Sequence, residues 1–343
     1  MHQRLQWGIL GSGTIARAFA QGLAGSDAGK LIAIGSRDQA RADAFAHEFH
    51  ASHSYGSYDA LLADPEVEAV YIATPHPTHA TWAIRCAAAK KHVLVEKPIA
   101  MNHAEASAII AAARANGVFL MEAFMYRCHP QTQKLVELIK DGAIGQVRVI
   151  QATFSFHARF DASHRLFNPQ LGGGGILDVG GYCASMARLI AGVARGADFA
   201  EPLDISASGH LGESGVDEWA IAALRFPGDV LATLSCGVSV AQENFVRVFG
   251  SEGHLAVPTP WTPARDGGSS RIVLHPKNAP AQEIVIDSPQ QLYSIEADAV
   301  AGSLDARQCP AMRWADTLGN MLLLDRWRAA IGLVYEADKQ RTA

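Results

Sequence analysis

From residue 5 to about residue 124 the chain alternates continuous apolar runs with segments whose apolar positions recur at helical spacing. "LQWGILG" leads into "TIARAFAQGLAG", "KLIAIGS" into "RADAFAHEFH", "AVYIATP" into "HATWAIRCAAAKK", and "HVLVEKP" into "AEASAIIAAARANG", before "VFLMEAF" closes the series. Strands that are apolar throughout, spaced by amphipathic helices, predict a parallel sheet covered on both faces, that is, a doubly wound α/β Rossmann domain over residues 1–124. After residue 124 the pattern changes. A helix around "QTQKLVELIKDG" precedes strands such as "QVRVIQATFSF", "VDEWAIAALRF", "VLATLSCGVSV", "NFVRVFGSEG", "RIVLHP" and "EIVIDS", joined by short turns. These predict an α+β domain over 125–309 built on a large open, mainly antiparallel sheet. The final "PAMRWADTLGNMLLLDRWRAAIG", within 310–343, has helical spacing and is expected to pack back on the first domain, with Trp314 and Trp327 as core residues.

The first strand turns directly into "GSGTIA", residues 11–16. This fits the dinucleotide fingerprint: Gly11 permits the tight turn, Gly13 lets a pyrophosphate approach the backbone, and Ala16 lets helix and strand pack closely. The amides of Thr14 and Ile15 then face phosphate at a helix N-terminus. The end of the second strand chooses the dinucleotide. Ser36 and Arg37 stand there and favour NADP over NAD, with Arg37 as a clamp on the 2′-phosphate. The alternative has Arg37 solvated and Asp38 on the ribose of NAD.

Ligands of open α/β sheets bind at the carboxyl ends of the strands. Thr74, Pro75, His76 and His79 follow the third long strand and are expected to line the nicotinamide ribose or cap the next helix. No HExxH or Cys/His framework accompanies the two histidines, so no metal site is expected. Glu96 and Lys97 end a later strand. Pro98 keeps Lys97 off helical backbone, so its ammonium is expected to project into the crevice beside the nicotinamide. The stretch 154–169 has no period and reads as a substrate-side loop; Phe154 and His157, with Tyr126 and Arg127, are the substrate candidates there.

Composition narrows the partners. Of 343 residues, 49% are hydrophobic and 18% charged, and the net charge of −5 offers no basic patch for nucleic acid or a membrane surface. Five single cysteines without a CxxC point to reduced thiols and a cytoplasmic location. The N-terminal segment lacks the apolar stretch of a signal peptide, and no window was expected to approach a membrane span. A small-molecule ligand is the expectation.

"GSGTIA", "SR", "ATPHPTHA", "VEKPIA", "EAFMYRCHPQ" and "GGGGILDVGGYCASMARLIAG", in this order, resemble the Gfo/Idh/MocA family of oxidoreductases, in particular its branch of D-xylose and dimeric dihydrodiol dehydrogenases. The resemblance implies that Lys97 is catalytic, that Pro98 follows a cis peptide, and that Asp178 and Tyr182 carry the family's second motif. Tyr182 would transfer the proton of a substrate hydroxyl with its pKa lowered by Lys97, and Asp178 would orient a neighbouring hydroxyl. It further implies hydride exchange between NADP and an aldose, sugar derivative or trans-dihydrodiol, and a homodimer formed through the second sheet. A sugar-sensing regulator without turnover and a nicotinamide-assisted glycosidase are the alternatives.

Overall fold

The alternating half forms six parallel strands in a computed structural model that describes residues 4–339. The first three residues of the N-terminal segment and the last four of the chain lie outside the described residues. Strand β1 (Leu5–Leu10) leads to α1 (Thr14–Ala24), β2 (Gly29–Gly35) to α2 (Gln39–Phe49), and β3 (His53–Tyr55) to α3 (Tyr58–Leu62). Then come β4 (Ala69–Ile72), α4 (His79–Ala88), β5 (His92–Glu96), α5 (His103–Asn116) and β6 (Leu120–Ala123). The sheet order β3-β2-β1-β4-β5-β6 is that of a Rossmann domain. Its strands are apolar because both faces are covered: Trp7, Ile9, Ala69, Val70, Tyr71, Ile72, Leu94 and Val95 are all fully buried.

Helix signals place the boundaries. Asn102 caps α5 by accepting from the Glu105 amide, and Gly117 ends it at φ 68°, where a side chain would be strained. Asp38 caps α2 by accepting from the Arg41 amide at 3.1 Å.

Beyond β6 come α6 (Met125–Cys128), α7 (Pro130–Lys140), β7 (Val147–Ser155), a π-helical turn (Ile176–Gly180) and α8 (Gly181–Val193). Strands β8 (Asp204–Leu211), β9 (Asp217–Phe226), β10 (Val230–Gly237), β11 (Phe245–Gly250), β12 (Gly253–Val257), β13 (Gly268–Pro276) and β14 (Gln282–Ser288) follow. Helices α9 (Leu292–Ala301), α10 (Trp314–Ala330) and α11 (Glu336–Lys339) close the described chain. The eight-stranded sheet runs β14-β13-β12-β11-β7-β10-β9-β8. It is antiparallel except for the β7–β10 pair, so β7 sits centrally although it comes first. Helix α10 lies on α5 and α8, while α9 lies on α1.

Along β9, Ala220, Ala222 and Leu224 face inward, and Trp219 and Ile221 face out, 41% and 57% exposed. One expectation needs correction. The stretch Pro169–Val193, 25 residues with hydropathy 1.3, is long and apolar enough to cross a membrane, yet its most apolar 18-residue window is wholly buried in the protein. Helix α8 is buried on all sides because the sheet strands β7 and β10, α7 and α10 surround it.

Candidate active site

The turn after β1 is built for close approach. Gly11 has φ +100°, and a Cβ there would stand 2.7 Å from the Ala73 carbonyl oxygen. A Cβ at Gly13 would meet nothing within 4 Å, so the backbone there borders open space. Gly13 begins α1 with no side-chain cap, and the first turn carries no acid. The amides of the first turn, at Thr14 and Ile15, are left for a phosphate. At the end of β2, Ser36 is buried and Arg37 exposed. Asp38 caps α2, with Oδ1 accepting from the Arg41 amide at 3.1 Å. These residues fit a dinucleotide, and Arg37 supplies a cation where a 2′-phosphate would lie.

Thr74 is buried and accepts from the Thr78 hydroxyl at 2.9 Å, and Pro75 is exposed at the start of a short 3-10 turn. His76 has Nδ1 3.2 Å from the Gly172 carbonyl. A carbonyl only accepts, so Nδ1 carries the proton; burial, then the neighbouring His79, push the imidazole down to about 3. A neutral ring leaves Nε2 as an acceptor. His79 is a correction to the expected ribose contact. It is fully buried, with Nε2 2.7 Å from the Thr74 carbonyl and Nδ1 2.9 Å from that of Pro98, and it ties the ends of β4 and β5 together.

Lys97 precedes a cis peptide to Pro98. Its ammonium donates to the Asp178 carbonyl at 2.8 Å, stands 3.6 Å from Asp178 Oδ1, and lies 5.1 Å from the centre of the Tyr182 ring. Amine, carboxylate and phenol ring, remote in sequence, therefore meet at the carboxyl edge of the first sheet. The π-helical turn carries Asp178 and α8 begins with Tyr182's segment, so the two stand on successive turns. Arg165, which the sequence reading did not single out, donates from Nη1 to the same Asp178 Oδ1 at 2.9 Å. Burial pushes the Asp178 carboxyl up, but Lys97, Arg165 and His76 outweigh it and hold the group well below the usual carboxylate range.

Tyr182 differs from expectation in charge. Burial, then the acids Glu96, Asp178 and Glu296, push its phenol well above 10, opposite to the lowering expected from Lys97. The hydroxyl faces Met125 Sδ at 3.7 Å, a weak acceptor. Glu96, a candidate cofactor contact, is buried below the crevice. Its Oε1 accepts from the Tyr71 hydroxyl and its Oε2 from the Lys97 amide at 3.2 Å, so it holds the strand end rather than facing a ligand.

Four aromatic rings enclose Tyr182. Phe124 and Phe154 meet it edge-on at 5.1 Å, Tyr126 lies nearly parallel at 5.6 Å, and Trp261 approaches at 5.9 Å with Nε1 donating to the Thr153 carbonyl at 2.9 Å. Phe154 is half-buried and Tyr126 fully buried. Trp261 was not anticipated; it stands in a proline-flanked loop where no period marks it. Two substrate candidates are corrected. Arg127 is buried and donates to Ser185 Oγ at 2.8 Å and Asp316 at 2.7 Å, so it is a joint between α6, α8 and α10. His157 is exposed with Nδ1 2.9 Å from the Ser239 carbonyl, and no described contact brings it to Tyr182. No cluster of three metal-ligating side chains occurs among the described residues.

A first turn of this construction, on a sheet of this order, with Asp178 and Tyr182 brought to the sheet's carboxyl edge by the π-helical turn and α8 of a second domain, defines a two-domain dinucleotide-dependent oxidoreductase. The chain belongs to the Gfo/Idh/MocA family. Residues 5–124 match the model of the oxidoreductase family with an NAD-binding Rossmann fold, and residues 132–256 match the GFO/IDH/MocA C-terminal domain. Trans-1,2-dihydrobenzene-1,2-diol dehydrogenase of Mus musculus is 35% identical, over 98% of this chain and 99% of that protein. An uncharacterized oxidoreductase of Rhizobium meliloti is 34% identical, over 94% and 95%. Among solved structures, a 3-ketoreductase from Actinomadura kijaniata in complex with NADP and TDP-benzene superposes with a TM-score of 0.85 at 28% identity, covering 96% of this chain and 98% of that one. An aldose-aldose oxidoreductase from Caulobacter crescentus, complexed with glycerol, gives 0.85 at 26% identity, over 96% and 97%.

Proposed function

We propose that the protein is an NADP-dependent dehydrogenase or reductase acting on a hydroxyl carbon of an aldose, sugar derivative or trans-dihydrodiol. The observation that carries this reading is the meeting of Lys97, Asp178 and Tyr182 at the carboxyl edge of the sheet whose first strand ends in the phosphate-binding turn. The nicotinamide, when bound, supplies the hydride exchange. Gly11, Gly13, Thr14 and Ile15 would hold the pyrophosphate, Ser36 and Arg37 the 2′-phosphate, and Thr74, Pro75 and His76 would border the nicotinamide ribose. NADP accompanies the related ketoreductase, which supports the choice.

The protonation states set the roles. A phenol held well above its ordinary pKa keeps its proton, so Tyr182 is an acid ready to protonate the oxygen of a carbonyl being reduced. A substrate oxygen is a better acceptor than a thioether, so little is lost when the hydroxyl leaves Met125. Lys97 places a positive charge beside the same oxygen and stabilises the alkoxide of the reverse reaction. Asp178, kept ionised, accepts from a neighbouring substrate hydroxyl. The aromatic rings around Tyr182 offer flat apolar surface to a sugar face or a cyclic diol.

The boundaries 1–124, 125–309 and 310–343 are supported by the end of β6 at Ala123 and by α10 lying on α5. The outward apolar residues of the second sheet favour a homodimer through that face. The five cysteines are all free and buried, which suits a reducing compartment such as the cytoplasm. The test is NADPH formation, followed by absorbance, across aldoses, inositols and trans-diols, with NAD⁺ beside NADP⁺. Turnover of at least one of these with NADP⁺ preferred is expected. Cofactor binding without turnover would point to a sensor, and aglycone release without net NADPH to a glycosidase.

A further inference from the structure

Arg165 stands on the loop between β7 and the π-helical turn, with its side chain 50% exposed. One nitrogen, Nη1, donates to Asp178 Oδ1; no other bond from its guanidinium occurs among the described residues. Lys97 meets the same oxygen from the other side at 3.6 Å, and no donor reaches Oδ2 among the described residues. A carboxylate with a free oxygen and a guanidinium with free N–H groups are thus fixed against each other at the mouth of the crevice. Asp178 is the buried member, 5% exposed at the side chain, so the pair is anchored at its acid end.

We propose that Arg165 is a specificity-determining residue that, with Asp178, binds the hydroxyl neighbouring the reacting carbinol, so that the site selects vicinal diols and polyols over simple alcohols. The inference rests on the dehydrogenase reading above. A hydroxyl is the group that fits: it donates its proton to Asp178 Oδ2 while its lone pairs accept from an Arg165 N–H. An ammonium has nothing to accept with, and a carboxylate or phosphate has nothing to donate to Asp178. The carboxylate and the phenol ring share one ammonium, Lys97 Nζ lying 3.6 Å from Asp178 Oδ1 and 5.1 Å from the centre of the Tyr182 ring, which is the juxtaposition that a carbinol and its neighbouring hydroxyl require.

The experiment compares trans-cyclohexane-1,2-diol with cyclohexanol on the wild type, Arg165→Met and Arg165→Lys. Both kcat/KM and Kd for the enzyme–NADP⁺ complex, the latter by calorimetry, are measured. A hydrogen bond to a charged group corresponds to roughly 10- to 100-fold. Wild type is expected to favour the diol by about that factor. Arg165→Met is expected to lose about tenfold on the diol, chiefly in KM and Kd, with cyclohexanol changed less than about twofold, and Arg165→Lys to recover part of the loss. Equal losses on both substrates, or no loss on either, would overturn the proposal. Should neither alcohol be oxidised, the calorimetric ratio still decides whether Arg165 selects the diol, and the dehydrogenase reading is decided separately by the screen of aldoses, inositols and trans-diols.

Discussion

At the scale of single residues, the sequence exposed the groups whose position follows from a strand end. Gly11, Gly13 and Lys97 lie where a parallel strand must stop, and so could be placed before any coordinates. Residues fixed by long-range packing could not. Arg165 comes from a loop without period, and Trp261 from a loop between prolines, so nothing local tied either to Tyr182. The charge of Tyr182 departs from the expectation for a related reason: Lys97 is marked by a motif of its own, whereas the burial that chiefly raises the phenol, and Glu296 with it, arrive from the fold. Arg37 carries the prediction proper to this scale. It is exposed and Asp38 is committed to capping α2, so Arg37 is the cation left at the end of β2. Arg37→Ser is expected to raise the Kd for NADP⁺ by roughly 10- to 100-fold, the worth of a charge-assisted bond, and to leave that for NAD⁺ nearly unchanged. Equal affinities of wild type and variant for NADP⁺ would place the 2′-phosphate elsewhere.

At the scale of elements, periodicity found the longer helices and most strands but not β3, α3, β8 or α9, and caps such as Asp38 and Asn102 mark where helices begin. The π-helical turn at Ile176–Gly180 escaped, because a wide turn differs from an α-helix only in its hydrogen bonding. Strand β6 carries a further consequence. Glu122 is buried, and its Oε1 accepts from the Ile99 amide at 3.0 Å. Burial pushes the group up to about 8. Its unfolded value is about 4.3. Between those values the folded protein holds a proton that the unfolded chain releases, so stability falls as pH rises, by up to about 1.4 kcal/mol per unit, and levels off above the folded value. Glu122→Gln keeps the acceptor for Ile99 and removes the titration. Urea denaturation is expected to show the variant gaining on wild type as pH rises through that window, with part of the slope remaining because Glu296 is also raised. Curves that stay parallel would contradict the assignment.

For the whole molecule, two sheets with different rules were legible: apolar runs spaced by helices gave the parallel one, and strands joined by short turns gave the antiparallel one. Alternation along β9 and β10 also exposed a question the single chain leaves open, since Trp219, Ile221 and Leu231 point away from the core. If a second copy covers them, Ile221→Glu is expected to halve the mass seen by sedimentation while the circular dichroism stays native; an unchanged mass would move the interface elsewhere. The central claim is the convergence of Lys97 and Tyr182 on one substrate oxygen. Its most direct test is the rate of hydride transfer in a single turnover, with NADPH bound in advance and a keto sugar or diketone supplied. Lys97→Met and Tyr182→Phe are each expected to slow that step by roughly 100-fold or more while NADPH binding holds. Transfer at the wild-type rate in either variant would contradict the claim.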